Sequence, residues 1–386
     1  MFMELHPNRR RGVAACRDTA TQLDVIRCIV AYLNATMPRA SAAEPDQRSA
    51  QSPTSPPLCR RLFEPADLDT RFQWANGLAG DTKAVVLANL NAAKALGPLR
   101  RVASPPDLSA IDALARDFPH CQALTELLRR RVALAYCCPN PAFSLPPLLL
   151  AGDPGCGKTA LAKRVAALMS VQFAEVDMAS VHTTFSLVGL DVGYATGRPG
   201  KVWETLQNEC MSPVILLDEL DKARSASGDE EVTSFLYSLL EPLTAKGFCD
   251  AAIGLPIDAS RITWIATCND PQVIHPAILS RFTVIDVSMP TLDQMPAVIE
   301  SIHRELLLTA EWREWFKQPP PAEALGALAR FSPREARLAM EEMYASAAIA
   351  GRRSVLLDDV PKNTSRARPT RQIGFIQDHT PNRTAK

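Results

Sequence analysis

Gly152, Gly155, Gly157, Lys158 and Thr159 stand close together in "LLLAGDPGCGKTALAKRVAA", residues 148–167, and their spacing fits G-x-x-x-x-G-K-[ST]. A loop of that composition can wrap backbone N–H groups around a nucleotide β-phosphate. Its lysine reaches the β/γ-phosphates, and its threonine hydroxyl is offered to Mg²⁺. Glycines let the backbone approach the anion without Cβ interference, and a following helix presents its positive end. The predicted phosphate cradle is Gly152, Asp153, Pro154, Gly155, Cys156, Gly157, Lys158, Thr159 and Ala160. A second chemistry-bearing stretch is "PVILLDELDKA", residues 213–223, an apolar run that delivers Asp218 and Glu219 at its end. Asp218 is suited to sharing Mg²⁺ with Thr159, and Glu219 to orienting and deprotonating an attacking water. An acidic pair after a strand is otherwise a solvated turn or a helix cap; the phosphate loop upstream favours the catalytic role.

These groups need strands and helices to hold them. Leu148–Ala151 reads as a short buried strand and Thr159–Met169 as an amphipathic helix. Further strands are expected in "QFAEVDM" (172–178), within 213–223, in "RITWIATCND" (261–270) and in "FTVIDVSMP" (282–290). Strands alternating with helices predict an α/β domain with a parallel sheet, over 116–290, whose ligands gather at the carboxyl ends of the strands. After Pro290 the pattern turns helical over 292–308, 322–331 and 333–350, which predicts a small all-helical domain over 291–352. Residues 1–115 are expected to form a partly disordered, helical N-terminal region, with one helix over Thr19–Leu33 and a Ser/Ala/Pro-rich linker over about 34–62. Residues 353–386 read as a basic flexible tail. Within it, residues 361–386 carry Lys362, Arg366, Arg368, Arg371, Arg383 and Lys386 against Asp378 alone.

Composition narrows the function classes. The formal net charge is zero and there is no basic stripe, which counts against direct nucleic-acid binding. Ten cysteines without C-x-x-C spacing suit reduced thiols better than a disulfide framework or a zinc site. No run approaches the roughly 18 apolar residues of a membrane span, and the N-terminus lacks a signal-peptide pattern, so a cytoplasmic location is expected.

From about residue 116 to 350 the chain resembles the AAA+ ATPases, and among them the ATPase module of Lon proteases. The resemblance rests on "GDPGCGKTALA", "GYATGRPGK", "PVILLDELDKA" and "WIATCNDPQVIHPAILSRF". It implies a P-loop AAA+ sheet domain with a helical lid, ATP and Mg²⁺ as cofactors, and a homo-oligomeric, hexameric ring. It further implies Walker A roles for Lys158 and Thr159 and Walker B roles for Asp218 and Glu219. Asn269 resembles the sensor-1 residue, and Arg281 the arginine finger that reaches a neighbouring subunit. Arg334, before the less fitting Arg337, resembles the sensor-2 arginine. Taken alone, Asn269 would be a turn former and Arg281 and Arg334 surface charges. Tyr194 and Ala195 occupy the places of the pore-loop pair that grips a polypeptide, although Ala195 is smaller than the family usual; packing of Tyr194 on its own domain is the alternative. Cys156 invites a redox role, against the simpler one of a small side chain that fits the loop. A Lon proteolytic domain is not expected in 36 residues after the last helix. The implied activity is an ATP-driven remodeller or unfoldase of proteins. An ATP-gated loader on a DNA-bound complex and an ATP-assembled scaffold are the alternatives, and Glu219 argues against the scaffold.

Overall fold

Two of the predicted strands, at Leu148–Ala151 and Val214–Leu217, are uninterrupted runs of Leu, Ile, Val and Ala with no charge, and such runs are stable only with both sheet faces covered. The computed structural model describes residues 58–180, 184–192, 197–223 and 233–362. Its first elements are β1 (Cys59–Arg61), α1 (Pro65–Asn76), α2 (Gly80–Leu96), β2 (Leu99–Arg101), α3 (Leu108–Asp117) and α4 (Gln122–Ala135). β3 (Leu148–Ala151), α5 (Lys158–Leu168), β4 (Phe173–Asp177) and β5 (Val214–Asp218) follow. A small hairpin, β6 (Phe248–Cys249) and β7 (Pro256–Ile257), precedes β8 (Thr263–Cys268) and β9 (Thr283–Asp286). The chain then becomes helical as α6 (Met295–Thr309), α7 (Ala322–Ala327) and α8 (Pro333–Ile349).

The sheet is five-stranded in the order β4-β5-β8-β3-β9. Its strand pairs are all parallel, as the alternating pattern predicts. β3, β5 and β8 are internal, and β8 is buried along its whole length. Leu149, Ile215, Leu217 and Ala266 point into one core, and Leu148, Leu150, Leu216 and Ile265 into the other, which is the period-two alternation of a strand covered on both sides. The register aligns Ala151 with Cys268 and Leu217 with Ala266, so the ends of β3, β5 and β8 open at one edge.

The segment before the sheet departs from expectation. β1 pairs antiparallel with β2, and Leu62 and Phe63 are buried, so the linker expected to reach 62 has given way to structure by Cys59. Leu62, Val86 and Leu90 share a core with Ile215 and Leu217, and the described residues belong to one compact unit. Residue 115 therefore does not separate two cores. Apolar residues of a short flanking segment found their partners on a sheet more than a hundred positions away, which local patterning does not reveal. At the other end, α6, α7 and α8 enclose their own core of Met295, Ile299, Leu328, Met340 and Tyr344. Val355 and Val360 join it, and Arg352 holds Asp359 at 2.5 Å, so the tail expected from 353 is packed as far as Val360. The expected helix over Thr19–Leu33, the rest of the linker and the basic residues from Arg366 onward lie outside the described residues. Among the described residues no helix is long and apolar enough to cross a membrane.

Candidate functional site

The loop between β3 and α5 is shaped by two close constraints. Gly152 passes so near β9 that an added Cβ would lie 2.0 Å from the Val287 carbonyl oxygen, a clash with backbone that no rotamer relieves. Gly157 precedes the first residue of α5 with φ +99°, in the left-handed region, and turns the chain into the helix. Lys158, nearly buried, then donates from Nζ to the carbonyl oxygens of Gly152 (2.7 Å) and Asp153 (3.0 Å) and to Asn269 Oδ1 (3.1 Å). The ammonium is thereby held at the mouth of the loop, where a phosphate can replace weaker acceptors.

Thr159 and Asp218 meet as the spacing predicts. Thr159 Oγ1 lies 3.2 Å from each Asp218 carboxylate oxygen. A residue that motif reading missed completes the group: Thr267 donates from Oγ1 to Asp218 at 2.5 Å and accepts from the Glu219 N–H at 2.9 Å. Thr267 is the next-to-last residue of β8, and Asn269 follows the strand directly. A lone hydroxyl in the run "WIATCND" was its only sequence signal. Glu219 itself adopts φ +56°, a conformation costly for a residue with a Cβ. The Thr267 bond helps hold this turn, which carries the carboxylate beyond the strand end, where Lys222 pairs with it at 2.6 Å. Asp221 accepts from the Asn269 N–H at 3.1 Å and so ties the two strand ends together.

Lys158, Thr159, Asp218, Glu219, Asn269 and Arg334 line one cleft of about 360 Å³. Of the cradle expected around the phosphate, Pro154 to Ala160 line it too, while Gly152 and Asp153 contribute carbonyls behind Lys158. The helical unit forms the opposite wall with Val298, Ile302 and Arg334. A capping box at Ser332, closed by Glu335, fixes the start of α8 and hence the first-turn position of Arg334. Arg337 is also at the cleft but is engaged with Glu305 (3.2 Å) and Glu341 (3.7 Å). Asp117, the last residue of α3, and Phe118 and His120 just after it also line the cleft, and no local pattern marks them. His120 Nε2 faces the Cys156 carbonyl oxygen at 3.1 Å; a carbonyl can only accept, so Nε2 carries the proton. Burial lowers the His120 pKa and keeps the ring neutral.

One expected residue stands apart. Arg281 does not line the cleft; it follows the short helix Pro276–Leu279, donates to the Ala277 carbonyl and lies 5.3 Å from the Tyr237 ring centre. Tyr194 and Ala195 lie outside the described residues. The neck of their loop is described: Leu190 and Arg198 exchange backbone bonds of 2.9 and 3.2 Å. Beneath it the fully buried Asp250 carboxylate accepts from the N–H groups of Gly200 (2.8 Å), Ala252 (2.9 Å) and Ile253 (3.2 Å). The Cys156 thiol is 1% exposed and burial pushes its pKa up, which suppresses the reactive thiolate and favours the packing role.

The cleft has the donors an anionic nucleotide needs: a loop opening a helix N-terminus, one buried ammonium, and a hydroxyl–carboxylate pair suited to Mg²⁺. Similarity to known proteins agrees. The AAA family (ATPase family associated with various cellular activities) matches residues 148–288. The Lon protease of Amoebophilus asiaticus is 33% identical over 150 residues, 39% of this chain and 18% of that protein. The peroxisomal Lon protease homolog 2 of Caenorhabditis briggsae is 32% identical over 177 residues, 45% of this chain and 23% of that protein. The chain thus spans about a fifth of the length of the curated relatives it matches. A closed-state reconstruction of Hsp104 with ATPγS and casein superposes with a TM-score of 0.52 at 18% identity, over 64% of this chain and 48% of that one, a likeness of fold. Residues 148–288 form an AAA ATPase domain, homologous to the ATPase region of Lon proteases over about two fifths of the chain.

Proposed function

We propose that this chain is a Lon-type ATP-hydrolysing motor that remodels or unfolds protein substrates through the pore of a homo-oligomeric, six-membered ring. The observation that carries it is the convergence of Lys158, Thr159, Asp218, Glu219 and Asn269 on one cleft closed by Arg334 of a separate helical unit. Lys158 and the loop N–H groups would hold the β- and γ-phosphates, and Thr159 with Asp218 would hold Mg²⁺. The metal would supply neutralisation of charge on the phosphates. Glu219 then serves as the base for water, Asn269 places that water, and Arg334 reports the nucleotide to the helical unit.

Arg281, away from its own cleft, is assigned to a neighbouring subunit's nucleotide. Tyr194 and Ala195 are assigned to the polypeptide, on a loop whose neck is fastened to the buried Asp250. A tyrosine grips by non-directional packing, which tolerates any substrate sequence. A cytoplasmic site of action suits a chain whose described cysteines form no disulfide with one another. The test is ATPase activity with and without an unfolded protein. Stimulation in the wild type, lost in Tyr194→Ala at unchanged basal turnover, is the expected result. Equal loss of basal turnover would return Tyr194 to a packing role, and absence of any stimulation would remove the protein-remodelling assignment.

A further inference from the structure

Asp117 ends α3 in a place that local physics disfavours. A carboxylate at a helix C-terminus opposes the macrodipole, and this one is 5% exposed. Two arginines offset the cost, one on each oxygen. Arg164, on the outer part of α5, donates to Oδ2 at 2.5 Å; Arg304, on α6, donates to Oδ1 at 2.9 Å. These partners stand 47 and 187 positions away, and each lies in a different structural layer: the helix that opens from the phosphate loop, and the first helix of the helical unit. The segment just after Asp117 is fastened to the same unit, since Gln294 Nε2 donates to the Pro119 carbonyl at 3.3 Å. Asp117 also lines the nucleotide cleft beside Phe118 and His120.

We infer that Asp117 is a positioning residue, a clasp that holds the helical unit closed over the cleft by joining Arg304 to Arg164. This inference rests on the reading of the cleft as a nucleotide site. With both oxygens occupied, the carboxylate keeps two guanidiniums in one place. Without its charge they repel one another, and the wall of Val298, Ile302 and Arg334 loses its fastening to α5. The Arg164 and Arg304 side chains are 44% and 59% exposed, so removing one leaves no buried cation behind. Nucleotide retention, not the chemical step, is what the clasp governs.

The test is made on the full-length protein with Arg304→Met, which keeps much of the apolar stem, Arg304→Lys, which keeps the charge, and Asp117→Asn. Dissociation of a fluorescent ADP analogue should accelerate about tenfold in Arg304→Met, the effect of one charge-assisted hydrogen bond discounted for its half-exposed donor. Arg304→Lys should recover most of it, and Asp117→Asn combined with Arg304→Met should release no faster than Asp117→Asn alone. In the nucleotide-free protein, hydrogen exchange should rise in residues 295–309 of Arg304→Met at unchanged thermal midpoint. If Asp117→Asn does not fold, Arg304→Met decides alone. Unchanged dissociation and exchange in Arg304→Met overturn the clasp while wild-type binding still supports the nucleotide site. Failure of the wild type to bind the analogue, with the exchange difference intact, would instead strike the nucleotide reading and with it the role in retention.

Discussion

Lys158 Nζ and Asn269 Oδ1 lie 3.1 Å apart, joining the phosphate loop to the end of the neighbouring strand across 111 positions of sequence. The pair sets one reactive cation and one neutral polar group side by side, and their substitutions should separate binding from turnover. Lys158→Ala should lose nucleotide binding. Asn269→Ala should bind within a few-fold of the wild type and turn over roughly 10²-fold more slowly, the scale for one oriented polar group at a transition state. Nucleotide titration and phosphate release measure the two effects. Equal losses of affinity in both variants would make Asn269 a support for the lysine.

Glu219→Gln should bind ATP as the wild type does and hydrolyse it about 10²–10⁴-fold more slowly, since the phosphate and metal ligands survive while the base is lost. Single-turnover phosphate release gives the rate. Wild-type turnover would take Glu219 out of the mechanism and leave its Lys222 ion pair, 2.6 Å long, as a surface contact.

Arg281 should act across a subunit boundary. Arg281→Ala alone should bind ATP and be nearly inactive, because an arginine supplied to a transferring phosphate is worth about 10³–10⁵ in measured GTPase cases. Mixed with Lys158→Ala, it should regain partial activity at interfaces that pair an intact phosphate loop with an intact Arg281. No recovery in a mixture proven to co-assemble would return Arg281 to its own subunit, where it donates to Ala277.

Asp250 makes stability depend on pH. Burial pushes its carboxyl up to about 6. The native protein therefore holds this proton more tightly than the unfolded chain, so the group's contribution to stability is complete below about pH 4 and is lost as pH rises through about 6. Asp250→Asn should lose about 1–3 kcal/mol or more near pH 4, because an amide cannot accept from all three backbone N–H groups. That deficit should narrow between pH 4 and 6. Denaturant melts across this range give the difference, and a deficit that grows with pH would reverse the assignment of burial as the dominant cause.

Motifs with short, rigid spacing were readable in the sequence: the glycines and Lys158 within one loop, and Asp218 and Glu219 at the end of an apolar run. The strands were readable for the same reason, since a run buried on both faces can hold no charge. Thr267 was not, because one hydroxyl in a strand has no signature until its neighbour across the sheet is known. Asp117 and His120 were not, because their partners come from helices and loops brought near only by tertiary packing. Leu62 reads as the end of a linker because it follows a Pro-rich stretch, while its core partners lie on the sheet. Arg281 was placed by family resemblance, and its own surroundings, a ring and a carbonyl, would not have singled it out.

The position of β3 between β8 and β9 has a consequence for biosynthesis. Leu148–Ala151 finds its hydrogen-bonding partners in Thr263–Cys268 and Thr283–Asp286, more than a hundred residues downstream. Closing such long loops is slow relative to forming a helix, so α5 can take shape well before the strand that aims it has neighbours. A nascent chain carries Lys158 early, yet Val287, against which Gly152 packs, must leave the ribosome before the phosphate loop can be completed. Messages truncated upstream of residue 287 should therefore yield chains that retain no nucleotide, however much of the motif they contain.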